Sequence, residues 1–343
     1  MTRRIHIVNA ALAAALTVGV VSAQQVLITA GGATFPNPMY SKWFNEYHKK
    51  LPNVSINYQS QGSGFGVQQV TAGTIDFGAS DMPMTDAQMK EFQAKRGTTV
   101  LHFPTILGAD VPAYNIPGVT AKLNFTPEAL AGIFLGKITK WNDPELVKAN
   151  PGVNLPANDI AVVHRSDGSG TTFIWVDYLS KVSKEWETKV GRGTSVNWPV
   201  GLGGKGNEGV AGQVKQQPNS IGYVELIYAI QNKMAYGKVK NAAGEFVEAS
   251  LASVTAAAAG MKEMPDDFRV SITNAPGKGA YPISSFTWLL IPSKIADPAK
   301  KTAIKDFLKW MLADGQKMTD ALAYAQLPTA VVAKEVKAID KIQ

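Results

Sequence analysis

Residues 165–172 combine an arginine, an aspartate, two glycines and several hydroxyl side chains in one short stretch, Arg-Ser-Asp-Gly-Ser-Gly-Thr-Thr. The stretch follows an apolar run at 160–163 and precedes a helical pattern from Phe173 to Trp186. An arginine side chain carries a permanent charge and a planar fork of donors that suits phosphate oxygens. The stretch is therefore either a turn that only changes the chain direction or a cradle for an anion.

The same plan, a strand, a turn rich in glycine and hydroxyl side chains, and then a helix, occurs in three places. These turns are Gly31 to Phe35, Gly62 to Gly66 and Gly168 to Thr172. A helix N-terminus has unpaired backbone N–H groups and about half a positive charge, so such a turn binds an oxyanion well. Ser and Thr are also preferred helix caps, and capping explains each single turn better. Three similar turns, one with an arginine, shift the balance towards a ligand.

Two acidic residues lie near these turns. Asp167 can orient the guanidinium of Arg165; the alternative is an ordinary surface ion pair, which is worth little. Asp81 follows an apolar strand, at the end where the ligand sites of α/β proteins lie. The alternative is that Asp81 caps a helix beginning at Met84 or Thr85. A carboxylate suits an anion site only if the ligand carries a proton that it can accept.

The composition argues against several classes of protein. The chain has 343 residues, a formal charge of +7 and no cysteine. This length predicts about two domains, and without cysteine a disulfide, a thiolate metal site and a lipid anchor are excluded. The lysines are scattered, which argues against nucleic-acid binding, and the modest positive charge suits a small anionic ligand. No nucleophile elbow or phosphate-binding P-loop occurs, and His48, His102 and His164 lack metal-ligand spacing, so no enzyme, cofactor or metal is predicted.

The N-terminal segment has the features of a secretory signal peptide. Met1 to Arg4 is basic, Ile5 to Val21 is almost entirely apolar, and small residues end the segment at Ala23. We predict that residues 1–23 are removed on export; the alternative, a short buried helix, is less consistent with the basic start and the cleavage site. The mature chain is then expected to be free and soluble in the periplasm.

Strand-like and helix-like segments alternate along the rest of the chain, which predicts an α/β fold. The pattern predicts strands at 25–29, 54–58, 74–79, 221–224 and 282–291, and helices at 38–47, 67–72, 127–134, 303–312 and from residue 330. The alanine-rich residues 242–265 predict a loop and a surface helix. The apolar stretch 105–114 is typical of a crossing between two domains.

Several longer motifs together resemble one known family. They are GGATFPNPMYSKW, QGSGFGVQQV, IDFGASDMP, IFLGKITKWNDP, IAVVHRSDGSGTTF, WPVGLGGKGNEGVAGQV, IGYVE and YPISSFTWLLI. Over residues 27–328 the chain resembles the periplasmic phosphate-binding proteins of bacterial Pst-type ABC transporters. The resemblance implies a two-lobed type II periplasmic-binding fold with a two-crossing hinge and the ligand cleft between the lobes. Lobe one would comprise 26–107 and 283–343, and lobe two 108–282.

The resemblance also assigns roles to individual residues. It implies that phosphate is bound by Thr34, Phe35, Ser63, Asp81, Arg165, Ser169, Gly170 and Thr171, with Asp167 behind the arginine. In this reading Asp81 accepts a phosphate proton. The family often has Ser-Ser-Gly-Gly where this chain has residues 63–66, so Phe65 is a departure at one edge of the pocket.

The implied function is high-affinity binding of inorganic phosphate in the periplasm and delivery to the transmembrane permease of an ABC transporter, by a monomer that is not an enzyme. Two alternatives stay open on the residues alone. One is a binding protein for another oxyanion, such as sulfate, molybdate or a phosphate ester. The other is a secreted phosphatase on the same scaffold, against which the missing nucleophile–base pair argues.

Overall fold

The computed structural model describes residues 25–343, so the predicted signal peptide at 1–23 lies outside the described residues. The strands are β1 (Val26–Gly32), β2 (Val54–Ser60), β3 (Phe77–Ser80), β4 (Val100–Asn115), β5 (Asn124–Phe125), β6 (Ala161–Arg165), β7 (Leu202–Gly204), β8 (Ser220–Glu225), β9 (Ala235–Tyr236), β10 (Lys238–Lys240), β11 (Phe246–Val247) and β12 (Ser284–Pro292). The helices are α1 (Asn37–Lys50), α2 (Ser63–Ala72), α3 (Asp86–Arg96), α4 (Pro127–Phe134), α5 (Pro144–Ala149), α6 (Gly170–Val182), α7 (Lys184–Lys189), α8 (Gly206–Gln216), α9 (Leu226–Gln231), α10 (Leu251–Ala259), α11 (Pro298–Trp310) and α12 (Thr329–Ala338). Within this range, no helix has the length and apolar character that crossing a membrane requires.

A sheet of nine strands forms the framework, in the order β2-β1-β3-β12-β4-β8-β6-β7 with β9 beside β4. Strand β1 lies parallel to β2 and β3, and β6 lies parallel to β7 and β8. Between these two parallel groups, β12 and β4 are antiparallel to their neighbours. The carboxyl ends of β1 and β3 in one group, and of β6 in the other, each lead into one of the three predicted turns or to Asp81.

Strand β4 connects the two groups. It is 16 residues long, and its residues 100–109 pair with β12 whereas its residues 110–115 pair with β8. The apolar stretch 105–114, predicted as a crossing, is thus the middle and end of one continuous strand. Most residues of β4 and all of β12 are buried, as expected for strands covered on both faces.

The helices pack on the sheet through apolar faces. In α1 the buried residues are Met39, Tyr40, Trp43, Phe44 and Tyr47, which recur at helical spacing as predicted. The ring of Tyr40 meets that of Tyr58 on β2 edge to face, with 5.4 Å between centroids. Such aromatic contacts fix the end of α1 that follows the first turn.

Several predicted boundaries differ from the structure. Helix α2 begins at Ser63 rather than Val67, because Gly62 has φ 102° and lets the chain turn from β2 directly into the helix. The residues predicted to form the second turn are therefore the first turn of α2. Strand β3 begins at Phe77 rather than residue 74, and α11 begins at Pro298 rather than residue 303.

Two buried acids face each other where β4 leaves β12 and joins β8. Asp110 pairs with Glu225 in the strand register, and neither residue has any exposed surface. Both carboxylate oxygens of Asp110 and Oε1 of Glu225 have no hydrogen-bond partner among residues 25–343. Burial raises the pKa of Asp110 well above its usual value, and the neighbouring charges of Asp81 and Glu225 raise it further against the effect of Arg165. Burial likewise raises the pKa of Glu225.

We expect Asp110→Val to raise the stability of the protein at alkaline pH. The pKa of this acid is higher in the folded protein than in the unfolded chain, where it is about 4. Such an acid stabilises the folded state fully below about pH 4, and this contribution is lost as the pH rises through the folded-state pKa. Removing the carboxyl removes this loss and the unpaired oxygens, so the variant gains about 1–3 kcal/mol near pH 8 and less near pH 5. Thermal unfolding at the two pH values measures the difference. Asp340→Asn, an exposed acid on the surface, is the control, and a variant less stable at both pH values would contradict the prediction.

Candidate anion-binding site

Three helix starts contribute to one site. The chain leaves β1 at Gly32 and enters α1 at Asn37, with Thr34 and Phe35 in the connection. Helix α2 starts at Ser63 directly after Gly62, and α6 starts at Gly170 after the cap Ser169. The Ser169 Oγ accepts a hydrogen bond from the backbone N–H of Thr172 at 3.0 Å. This hydroxyl therefore caps α6, which is the capping role considered from the sequence.

The second and third turns are in direct backbone contact. The N–H of Gly64 donates to the carbonyl oxygen of Gly168 at 2.8 Å. A Cβ added to Gly170 would lie 2.4 Å from Ser63 Oγ and 2.5 Å from Asp81 Cβ. Only glycine at position 170 therefore allows α6 to approach Ser63 and Asp81 this closely.

The first turn meets the third through side-chain contacts. Asn207, at the start of α8, donates from Nδ2 to Thr34 Oγ1 at 2.7 Å and to Thr171 Oγ1 at 3.1 Å. The hydroxyl of Tyr228 donates to the carbonyl oxygen of Thr34 at 2.6 Å. These bonds place Thr34 beside the N-terminus of α6.

Several backbone N–H groups at the site have no acceptor among the described residues. They belong to Thr34, Phe35, Ser63, Gly170 and Thr171, all of which are buried. Buried backbone donors are nearly always paired, so a cluster of free ones marks a place where a ligand with several acceptor oxygens fits.

Phe35 contributes its backbone rather than its ring. The ring is fully buried, and a Cβ added to Gly108 on β4 would lie 2.6 Å from Phe35 Cζ. Its carbonyl oxygen accepts the Tyr324 hydroxyl at 2.6 Å. These two contacts hold Phe35 in place, and its backbone N–H has no acceptor among the described residues.

Arg165 and Asp167 form a buried pair. Arg165 is 3% exposed, and its Nε donates to Asp167 Oδ1 at 2.8 Å while Nη2 donates to Oδ2. Asp167 Oδ1 also accepts the N–H of Gly206 at 3.0 Å. Burial works to lower the pKa of Arg165, but Asp167 raises it above the usual value, so the guanidinium stays charged. The surface ion pair considered from the sequence is therefore wrong, because the guanidinium lies inside the protein with Nη1 on Thr171 Oγ1 at 3.2 Å.

Asp81 lies beside Gly170 and Ser63 and is 1% exposed. Its Oδ1 accepts the hydroxyl of Thr287 at 2.7 Å, and its Oδ2 accepts that of Ser63 at 3.3 Å. Burial raises the pKa of Asp81 to about 7, against the lowering effects of the Thr287 bond, the Arg165 charge and the Ser63 bond. The alternative that Asp81 caps the next helix is wrong, because Thr85 caps α3.

The structure brings every predicted site residue into this one region. Sequence reasoning missed two others, Asn207 and Thr287. Asn207 is the second residue of α8 and follows the glycine-rich end of β7, which repeats the strand, turn and helix plan and so carried a signal. Thr287 lies in the apolar strand β12, where nothing in the sequence distinguishes it.

Phe65, the departure from the usual motif, points away from the third turn. A Cβ added to Gly31 on β1 would lie 2.8 Å from Phe65 Cε1, so the ring covers the backbone of β1. The neighbouring Gly64, not Phe65, forms the contact with Gly168. The pocket edge is thus formed by backbone at this point.

Comparison with known proteins identifies the class of protein to which the chain belongs. The family model of the PBP superfamily domain matches residues 19–315 of the chain. The fold resembles that of a high-affinity periplasmic phosphate-binding protein bound with phosphate, with a TM-score of 0.72 at 22% identity over 91% of this chain and 93% of that one. It also resembles a phosphate-binding protein from Stenotrophomonas maltophilia, with a TM-score of 0.70 at 17% identity over 91% and 93% of the two chains. The predicted two-lobed type II periplasmic-binding fold is confirmed.

Relatives of higher identity define the family. The phosphate-binding protein PstS of Xylella fastidiosa strain Temecula1 is 48% identical over 92% of this chain and 85% of the relative. That of Pasteurella multocida is 48% identical over 91% and 89%, and that of Methanocaldococcus jannaschii is 41% identical over 93% and 87%. The chain belongs to the PstS family of phosphate-binding proteins, which confirms the resemblance seen in the motifs.

Proposed function

We propose that the protein binds inorganic phosphate with high affinity between its two lobes and delivers it to the permease of an ABC transporter. The observation that carries the proposal is the donor set of the buried site: one guanidinium and, from three chain turns, backbone N–H groups without an acceptor among the described residues lie together with one carboxyl group. Seven PstS relatives, bacterial and archaeal, share 31–48% identity with the chain. Family membership makes it a substrate-binding protein rather than an enzyme.

Each predicted site residue has a role in this proposal. Thr34, Phe35, Ser63, Gly170 and Thr171 donate backbone N–H groups, and the hydroxyls of Thr34, Ser169 and Thr171 are further donors. The hydroxyl of Ser169 can still donate its proton while its oxygen caps α6. Arg165 binds phosphate oxygens with Asp167 behind it, and Asp81 pairs with the proton on phosphate. The low dielectric of the buried site strengthens every one of these bonds.

The lobes divide, in this proposal, at 107/108 and 282/283. The change of pairing partner along β4, from β12 to β8, falls between residues 109 and 110, two residues from the first boundary. It supports a hinge in this part of the strand, since a twist there moves one parallel group relative to the other. Closure then brings Gly168 and Gly170 against Gly64 and Asp81. We propose that the exported chain works as a monomer in the periplasm and that the permease recognises the closed form.

A panel of anions tests the proposed function. The processed protein is mixed with phosphate, sulfate, molybdate or a phosphate monoester, and its thermal unfolding is followed. A ligand that binds only the folded state raises Tm, so phosphate alone should give a large increase. An equal or larger increase with another anion would replace the proposal with that ligand, and release of phosphate from the monoester would point to a phosphatase.

We expect Gly170→Ala to weaken phosphate binding by at least about tenfold. The added Cβ would collide with Ser63 Oγ and Asp81 Cβ, so the closed form becomes less favourable by ~1–3 kcal/mol. Gly212→Ala on α8 is the matched control, because its Cβ would meet nothing within 4 Å. Calorimetric titration with phosphate compares the two variants; equal affinities would show that α6 does not have to approach Asp81 for binding.

A further inference from the structure

Asn207 is fully buried and hydrogen-bonds on both ends of its side-chain amide. Its Oδ1 accepts the backbone N–H of Glu225 at 2.9 Å. Because a backbone N–H can only donate, this bond fixes which end of the amide is oxygen. Nδ2 therefore faces the two threonines and has one hydrogen for each, at 2.7 Å from Thr34 Oγ1 and 3.1 Å from Thr171 Oγ1.

These bonds determine where the threonine protons point. A hydroxyl has one proton and two lone pairs. Thr171 Oγ1 accepts from Asn207 and, at 3.2 Å, from Arg165 Nη1, so both of its lone pairs are used. Thr34 Oγ1 accepts from Asn207 Nδ2 and, at 3.4 Å, from the Asn207 backbone N–H. Each hydroxyl can then act towards a ligand only as a donor.

We propose that Asn207 is a positioning residue that makes both hydroxyls donors and thereby selects the less protonated form of phosphate. This inference rests on the proposed function. A ligand oxygen opposite such a hydroxyl has to accept, which leaves Asp81 as the acceptor for a ligand proton. HPO4²⁻ has one proton and fits this pattern, whereas both protons of H2PO4⁻ compete for the same carboxylate.

The direct test is Asn207→Asp, which keeps an oxygen for the Glu225 N–H but removes the donor. The threonines then donate to the new carboxylate and present lone pairs to phosphate. Affinity near pH 8 should fall at least about 100-fold, since two hydrogen bonds to a charged ligand are lost. The loss should shrink towards pH 6, where the ligand carries a second proton and the Asp81 carboxyl, with a pKa of about 7, is a poorer acceptor for it. Unchanged affinity, or a loss that is the same at both pH values, would overturn the proposal.

A matched control separates this effect from general disturbance of a buried asparagine. Asn150 is also buried, with Nδ2 on the carbonyl oxygens of Asn124 and Leu146 and Oδ1 on the N–H of Asn124. Asn150→Asp makes the same change away from the site and should leave phosphate affinity and its pH profile unchanged.

A double-mutant cycle provides a second test, in which no substitution introduces a charge. Asn207→Ala should weaken binding at least about tenfold in the wild-type background but less than about threefold when Thr34 and Thr171 are both valine, because its effect passes through the two hydroxyls. The same loss in both backgrounds would mean that Asn207 only supports the fold, which overturns the proposal. A wild-type protein that does not bind phosphate would instead refute the proposed function.

Discussion

Replacing Arg165 with alanine is expected to weaken phosphate binding by at least about 100-fold. Hydrogen bonds to charged groups contribute ~1.5–3 kcal/mol each, and the buried guanidinium is placed to offer more than one to the ligand. It is also the positive side chain in direct contact with the third turn, through Thr171 Oγ1. Calorimetric titration with phosphate measures the loss.

Two further variants make this result interpretable. Arg165→Ala alone leaves the Asp167 carboxylate without its partner, and breaking a buried pair is itself strongly destabilising. The double variant Arg165→Ala with Asp167→Asn removes that charge and should still bind weakly. Lys140→Ala controls for net charge, because Lys140 pairs only with the exposed Asp159 within the described chain. Near-wild-type affinity in the double variant would remove Arg165 from the site.

Replacing Asp81 with asparagine is expected to abolish most of the preference for phosphate over sulfate. Near pH 8.5 Asp81 is above its pKa of about 7 and can only accept a hydrogen bond. HPO4²⁻ donates its proton to the carboxylate, but sulfate has none and would face it unpaired. Sites that pair a specific ligand hydrogen discriminate by ~10⁴-fold or more. In Asp81→Asn the side-chain amide can donate to either anion, so the ratio should fall below about 100-fold.

Because Asp81 has this pKa, the preference of the wild-type protein for phosphate over sulfate should depend on pH. Below about pH 7 the Asp81 carboxyl gains a proton and can donate to sulfate, so selectivity for phosphate should rise as pH increases through this value. Competition calorimetry at two pH values measures it. Asp306→Asn, an exposed acid on α11, is the control. Unchanged discrimination in Asp81→Asn, or greater wild-type selectivity at low pH, would contradict the role of Asp81.

Local patterns in the sequence indicated the regions that form most of the candidate site, and the family resemblance then assigned the individual residues. The three turns and Asp81 each follow a strand, Arg165 ends one, and the carboxyl ends of parallel strands lie at one edge of a sheet. Asn207 has the same context, with Lys205 and Glu208 near it, but its neutral amide side chain gives no charge that would mark it from the sequence. Thr287 could not be found, because its role depends on β12 lying beside β3, a pairing between segments distant in sequence.

Features that depend on three-dimensional packing were the least predictable. The start of α2 at Ser63 follows from the unusual φ of Gly62, which the sequence permits but does not require. Asp110 lies in a stretch that the pattern shows only as apolar, and its burial opposite Glu225 follows from the antiparallel register of β4 and β8. The hydrogen bond between Gly64 and Gly168 likewise depends on the relative position of the two lobes.

Crystals of the processed protein grown with phosphate should show one tetrahedral anion between the lobes. We expect this anion to be bonded to the Arg165 guanidinium and to the N–H groups of Phe35 and Gly170, with one oxygen against the Asp81 carboxyl. Phosphate bound elsewhere, or a protein crystallised in excess phosphate with none between Arg165 and Asp81, would contradict this expectation.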